Sequence, residues 1–210
     1  MKTRLILLSS VISLMLCTCH GPVTRISPWV PYDESAEIAE NASHPSPKMR
    51  YQLIQSRILD RNAVWKNVSE QLRGFNDEDY QRLKPLILEQ DIPTLQSHIA
   101  SGELSYRELT QWYLYRIVLY ENNPATALNN IISINPDAVS EARERDRQRS
   151  AGNHPLYGIP VLLKDNIGMN GLPTTAGAAF LAANMAPDAF IVERIKEKGG
   201  IILGKVNLSE

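Results

Sequence analysis

The chain has 210 residues, 43% hydrophobic and 21% charged, which is the balance of an ordinary globular protein and not of a disordered one. Its 22 Lys and Arg against 23 Asp and Glu leave a formal net charge of −1, so nothing in the composition reaches toward a phosphate backbone or an anionic membrane, and nucleic acid is not an expected partner. One folded domain is the default at this length.

The first twenty residues differ from the rest. Lys2 and Arg4 precede an uncharged run over residues 5–16, the basic-then-apolar order of a secretory signal, too short to span a bilayer as a stable helix. Residues 1–20 are therefore expected to direct export to the periplasm. The only two cysteines, Cys17 and Cys19, stand at the end of this run, so the mature domain is expected to hold no disulfide. A cysteine here resembles the bacterial lipobox, in which the thiol receives a lipid. Leu16 lies three positions before Cys19, but Thr18 stands where a small Gly, Ala or Ser is usual. Lipidation at Cys19 with a membrane anchor, cleavage near His20 and Gly21 to a soluble periplasmic protein, and an incidental pair of small residues all stay open.

Residues 21–48 hold Pro22, Pro28, Pro31, Pro45 and Pro47 without a sustained period and read as a tether lacking regular structure. Residues 49–91 read as a helical extension. Leu53, Ile54, Ile58, Leu59, Val64, Trp65, Val68 and Leu72 fit one helical face closed by Gly74. Asn76 or Asp77 is placed to cap a second helix through Tyr80, Leu83 and Ile87, shortened or kinked by Pro85.

Ser105 and Glu108 form a capping-box pattern, followed by Leu109, Trp112, Tyr113, Arg116, Ile117 and Tyr120 at helical spacing. A β-prone run over residues 130–134 leads to Asn135 and Pro136, where Asn caps and Pro enters a helix running to Asp146. The mixed charges of residues 141–149 read as its solvated face. Residues 159–163 and 201–203 are apolar runs of strand length, and Asp188 opens a helix between them that closes at Gly199 and Gly200. Strand, helix, strand predicts a parallel crossover and an α/β fold.

Lys164 ends the first of these strands, beside Asp165 and Asn166, where open parallel sheets bind ligands. A lysine desolvated there loses stability in its charged form, as a general base requires. Taken alone, a strand-terminal lysine is more often a solvated end cap, with Asp165 available to pair with it. The loop that follows carries Thr174 and Thr175, whose hydroxyls serve either turn chemistry or hydrogen bonds to a substrate or to Lys164.

The segment 158–166 (Gly-Ile-Pro-Val-Leu-Leu-Lys-Asp-Asn) with Thr174-Thr175-Ala176-Gly177, Asp188-Ala189 and Gly204-Lys205-Val206-Asn207-Leu208-Ser209-Glu210 resembles the amidase signature family in content, order and spacing. The resemblance extends over residues 92–210. It implies an amidase-signature-like mixed sheet with helices on both faces, incomplete in this chain. It also implies hydrolysis of a small-molecule carboxamide by a Ser–Ser–Lys triad, without metal or cofactor, in which Lys164 is the base and both serines come from a segment beyond residue 210. The chain alone is then expected to be inactive, since a hydroxyl nucleophile, its base and an oxyanion hole are all needed. Ala178 replaces the family's usual serine after Thr-Ala-Gly, which touches substrate positioning and no member of the triad. The substrate-binding residues and the oligomeric state are not legible. Two other readings are the catalytic component of an amidotransferase, which an export signal opposes, and a non-catalytic exported binding protein derived from an amidase gene.

Overall fold

The computed structural model of the chain describes residues 26–30, 33, 35–50, 61–150 and 152–208. The expected export signal and Cys19 lie outside these residues, as do residues 51–60 of the first expected helix. Seven helices are described: α1 Ser35–Asn41, α2 Asn62–Gln71, α3 Asp77–Ile87, α4 Ile92–Ser101, α5 Tyr106–Glu121, α6 Ala138–Arg147 and α7 Phe190–Glu197. Three strands, β1 Ile131–Ile134, β2 Pro160–Lys164 and β3 Ile201–Val206, form one sheet in the order β1-β3-β2.

The helix ends follow local hydrogen-bond chemistry. At α5 the Ser105 hydroxyl accepts from the Glu108 amide at 3.1 Å, and the Glu108 carboxylate accepts from the Ser105 amide at 3.0 Å, completing the capping box. Asn76 and Asp79 make the same reciprocal pair at α3, and Pro85 falls in its last turn, so the helix stops at Ile87 without a long kinked continuation. Helix α4 went unread in the sequence, although Asp91 caps it through the Thr94 amide at 2.9 Å and Gly102 ends it in the left-handed region. At α6 Asn135 is not the cap. Its side-chain oxygen accepts from the Asp137 amide at 3.0 Å in a turn before the helix, while its amide group donates to the Ile202 carbonyl and ties β1 to β3.

Two further expectations change. The segment read as an unstructured tether contains the seven-residue α1, and Ser27 and Trp29 bond to the body through Asn122 and Asn62. The charge run of α6 is only partly solvated. Asp146 accepts from the Tyr106 and Arg107 amides at 2.8 and 3.0 Å, adding a second cap to α5, and Arg145 donates to the Gly199 carbonyl at 2.9 Å.

The larger core joins α2, α3, α4, α5 and α6 to one face of the sheet through Val68, Leu72, Leu83, Ile99, Leu109, Trp112, Ile131, Ile134, Ile201 and Leu203. Trp112 stacks on Tyr80 at 5.0 Å and donates from its indole nitrogen to the Tyr80 carbonyl, so its polar atom is satisfied in the core. The first half of α5 is buried nearly all round, through Tyr106, Leu109, Thr110, Gln111, Trp112 and Leu114, because α3 and α6 both pack on it; the single stripe expected through Tyr120 ends in an exposed ring. A smaller core on the other sheet face joins Leu163 and Ile202 to Val192 of α7 and to Met169 and Leu172 of the following loop. Helices thus cover both faces, as expected.

Strands β2 and β3 are parallel and joined through α7, and β1 runs antiparallel along the far side of β3. A bulge interrupts the β2–β3 register: Val161 pairs with Ile202, yet Leu162 pairs with Gly204, Leu163 with Lys205 and Lys164 with Val206. The same stretch of β3 lies hard against β1. A Cβ on Gly204 would stand 2.3 Å from the Ser133 carbonyl oxygen, which explains glycine there. Gly204→Ala is expected to cost about 1–3 kcal/mol through backbone displacement, read as a fall in melting temperature; an unchanged melting temperature would show that β1 yields freely.

Candidate active site

The bulge decides which way each functional side chain points. Paired residues of neighbouring strands share a sheet face. Lys164, paired with Val206, therefore lies on the face of the larger core, and Lys205, paired with Leu163, lies on the opposite face. Without the extra residue in β3, Lys205 would turn away from the Met169–Leu172 side and could not meet the loop there.

Lys164 is half-buried at the carboxyl end of β2. Its ammonium has no hydrogen-bond or ion-pair partner among the described residues. Its backbone is held firmly: the Lys164 carbonyl accepts from the Ile167 amide at 2.9 Å, and the Asp165 amide continues the ladder to the Val206 carbonyl at 2.9 Å. Lys164 is a partly exposed strand-end lysine, as the end-cap reading has it, but the pairing with Asp165 does not form.

Asp165 pairs instead with Lys205, at 3.5 Å, and both side chains are fully enclosed. One Asp165 oxygen accepts from the Thr175 amide at 3.0 Å, from the Thr175 hydroxyl, and from the Gly177 amide at 3.4 Å. Lys205 donates to the Thr174 hydroxyl at 3.1 Å and to the Pro173 carbonyl at 3.4 Å. The two threonine hydroxyls are thus engaged by this buried pair and not by Lys164. Burial pulls the Lys205 ammonium below the usual lysine range, while the Asp165 carboxylate acts in the opposite sense.

Other site residues serve the loop's outer frame. Asp188 does not cap α7; it accepts from the Asn170 amide at 2.8 Å and pairs with Lys196 at 2.7 Å, fixing the loop to the helix that follows. The Asn184 side chain donates to the Thr174 carbonyl and its own carbonyl accepts from the Thr174 amide, both at 2.9 Å. Asn207 ends β3 with its amide on the Asn130 carbonyl at 2.7 Å.

Sequence reasoning missed Lys205, because the strand was ended at Leu203. A signal was present. A lysine inside an otherwise apolar strand must find a counter-charge or lose its own, and Asp165 stands at the equivalent end of the neighbouring strand. Chemically, the arrangement leaves the Lys164 amine without a partner among the described residues at the strand end, while Asp165 and Lys205 hold the loop 173–177.

The Amidase family model matches residues 108–210. The chain is 34% identical to a glutamyl-tRNA(Gln) amidotransferase component of Exiguobacterium sibiricum, over 59% of this chain and 25% of that protein. It is 42% identical to a probable amidase of Arabidopsis thaliana, over 51% of this chain and 21% of the relative. Among solved structures, an amidase family protein from Bacillus anthracis superposes with a TM-score of 0.68 at 40% identity, covering 74% of this chain and 31% of the other. The native peptide amidase of Stenotrophomonas maltophilia superposes with a TM-score of 0.55 at 44% identity, covering 59% and 26%. The chain thus spans between a fifth and a third of the length of these proteins. Sequence and fold likeness converge on the segment that carries Lys164, Asp165 and Lys205, and it is residues 108–210 that match the Amidase family model.

Proposed function

We propose that this chain contributes the base-bearing part of an amidase that hydrolyses the C–N bond of a small carboxamide, with Lys164 accepting the proton of a serine nucleophile. The observation that carries the reading is the state of Lys164: half-buried, at the carboxyl end of the parallel pair, and without a partner among the described residues, while its neighbour Asp165 faces Lys205 with one oxygen and holds Thr175 with the other. General-base action needs the amine without its proton, a form open to a lysine and closed to an arginine guanidinium. The resemblance implies that the bridging and nucleophilic serines come from a downstream segment, and the relatives are several times longer than the part they share with this chain. The 210-residue chain by itself is proposed to lack activity. The test is amine or ammonia release from a panel of simple carboxamides, by this chain and by a protein that joins it to that downstream segment.

A second reading, the catalytic component of an amidotransferase, is favoured by relatives that bear that enzyme's name. Export directed by Lys2, Arg4 and the apolar run would distinguish the two, because transfer to an aminoacyl-tRNA is cytosolic chemistry. We propose export to the periplasm, with or without a lipid on Cys19. N-terminal sequencing of protein made in a Gram-negative host should begin between Cys19 and Gly21, and labelled palmitate should enter a Cys19-dependent band if the anchor is real. Recovery of intact Met1 from the cytosol would remove the export reading and restore the amidotransferase one.

A further inference from the structure

We propose that Lys205 is a positioning residue: through its buried contact with Asp165 it locks residues 173–177 across the carboxyl ends of β2 and β3 and so fixes the place of Lys164. This rests on the reading of Lys164 as the base.

Every residue of the loop is tied to this pair or to the Asp165 backbone. Lys205 holds the Pro173 carbonyl and the Thr174 hydroxyl; the Asp165 carboxylate holds the Thr175 amide and hydroxyl and the Gly177 amide; and the Asp165 carbonyl accepts from the Ala176 amide at 3.2 Å. The loop is held in a conformation it would not choose. Ala176 has φ +49° and Gly177 φ +74°, and a left-handed alanine persists only where its surroundings over-determine it.

Stability alone is a poor account of the pair. Taking a lysine and a carboxylate fully out of water is costly, and well-packed apolar residues of similar volume are commonly as stable or more so. What the charged pair does supply is directional bonding to Pro173, Thr174, Thr175 and Gly177, through the residue that directly follows Lys164. Lys205 cannot itself be a second base toward the same substrate, since it is enclosed and lies on the sheet face opposite Lys164. Its influence reaches Lys164 through the peptide bond to Asp165 and through the β2–β3 ladder.

The test uses two measurements on Lys205→Met, on the double variant Lys205→Met/Asp165→Asn and on Thr174→Val. The double variant removes both charges together, so that it folds even if the single one, which strands a buried carboxylate, does not. Hydrogen exchange on the 210-residue chain should show the Thr175 and Gly177 amides exchanging at least ~10-fold faster in the double variant, with the strand amides unchanged. Thr174→Val, which keeps the ion pair and removes one tie, should show a smaller increase. In the protein extended by the downstream segment, the double variant should lose ~10²-fold in kcat with KM little altered, the signature of a misplaced reacting group and not of lost binding. Unchanged exchange at Thr175 and Gly177 would overturn the lock, and faster exchange with wild-type kcat would overturn the positioning role. Absence of hydrolysis by the extended wild-type protein would sink the base reading instead, and the exchange result alone would then decide the lock.

Discussion

Replacing Lys164 with alanine, in a protein that carries this chain together with the downstream segment, is expected to lower kcat/KM for a simple carboxamide by at least ~10²–10⁴-fold, the range for loss of a positioned general base. The fold should survive. Lys164 has no side-chain partner among the described residues, so truncating it leaves no buried group unpaired, and the melting temperature should change by no more than a few degrees. Lys164→Arg should fail as completely as alanine, because a guanidinium stays protonated at any workable pH and cannot take the serine proton. Asp165→Asn should be milder in rate if its role is to order the loop, since the reacting amine is still present. Undiminished turnover by Lys164→Ala would take Lys164 out of the mechanism, and robust hydrolysis by the 210-residue chain would overturn the proposal that it is inactive alone.

Glu121→Ala is expected to be the most damaging single change to stability, at about 3–5 kcal/mol. Arg61 and Glu121 form an ion pair at 3.1 Å with side chains 7% and 6% exposed. The same carboxylate accepts from the Leu128 and Asn130 amides at 3.0 and 3.2 Å, so it closes the loop that delivers β1 to the sheet. Arg61 also donates to the Asn129 side chain and lies 5.5 Å from the centre of the Trp29 ring. Removing Glu121 leaves a buried guanidinium and two backbone amides without their acceptor, and a loss of this size corresponds to roughly 10 °C or more in melting temperature for a domain of this length. Glu121→Gln, which keeps an acceptor and the shape, should fall between alanine and wild type. A drop of less than about 2 °C for Glu121→Ala, followed by circular dichroism, would show that water reaches this pair and screens it.

These two residues differ in how visible they were. Lys164 could be picked out because its context is contiguous: an apolar strand, a lysine, then an acidic and an amide residue, in a run that resembles a known family. Glu121 could not. It ends a helix among polar neighbours, and nothing within a few residues distinguishes it from a solvated carboxylate; only the return of the chain at Leu128 and the approach of Arg61, sixty residues earlier, bury it.

The same division runs through the fold. The features decided by sequence alone were local ones, the Ser105–Glu108 and Asn76–Asp79 boxes, the apolar face of α2, the two strand runs and the helix between them, although the equally local cap of α4 at Asp91 was not among them. Hydrogen bonds and side-chain periods of that range are set by backbone geometry, whatever surrounds them. What tertiary structure decided were the contacts between segments. Asp146 caps a helix forty residues before it, and β1 lies antiparallel along β3. Asp165 turns from its neighbour Lys164 to Lys205, far along the chain. That last choice depends on a single extra residue in β3, because a strand alternates its faces with a period of two. The bulge sends Lys205 beneath the loop to meet Asp165 and leaves Lys164 alone at the strand end on the other face.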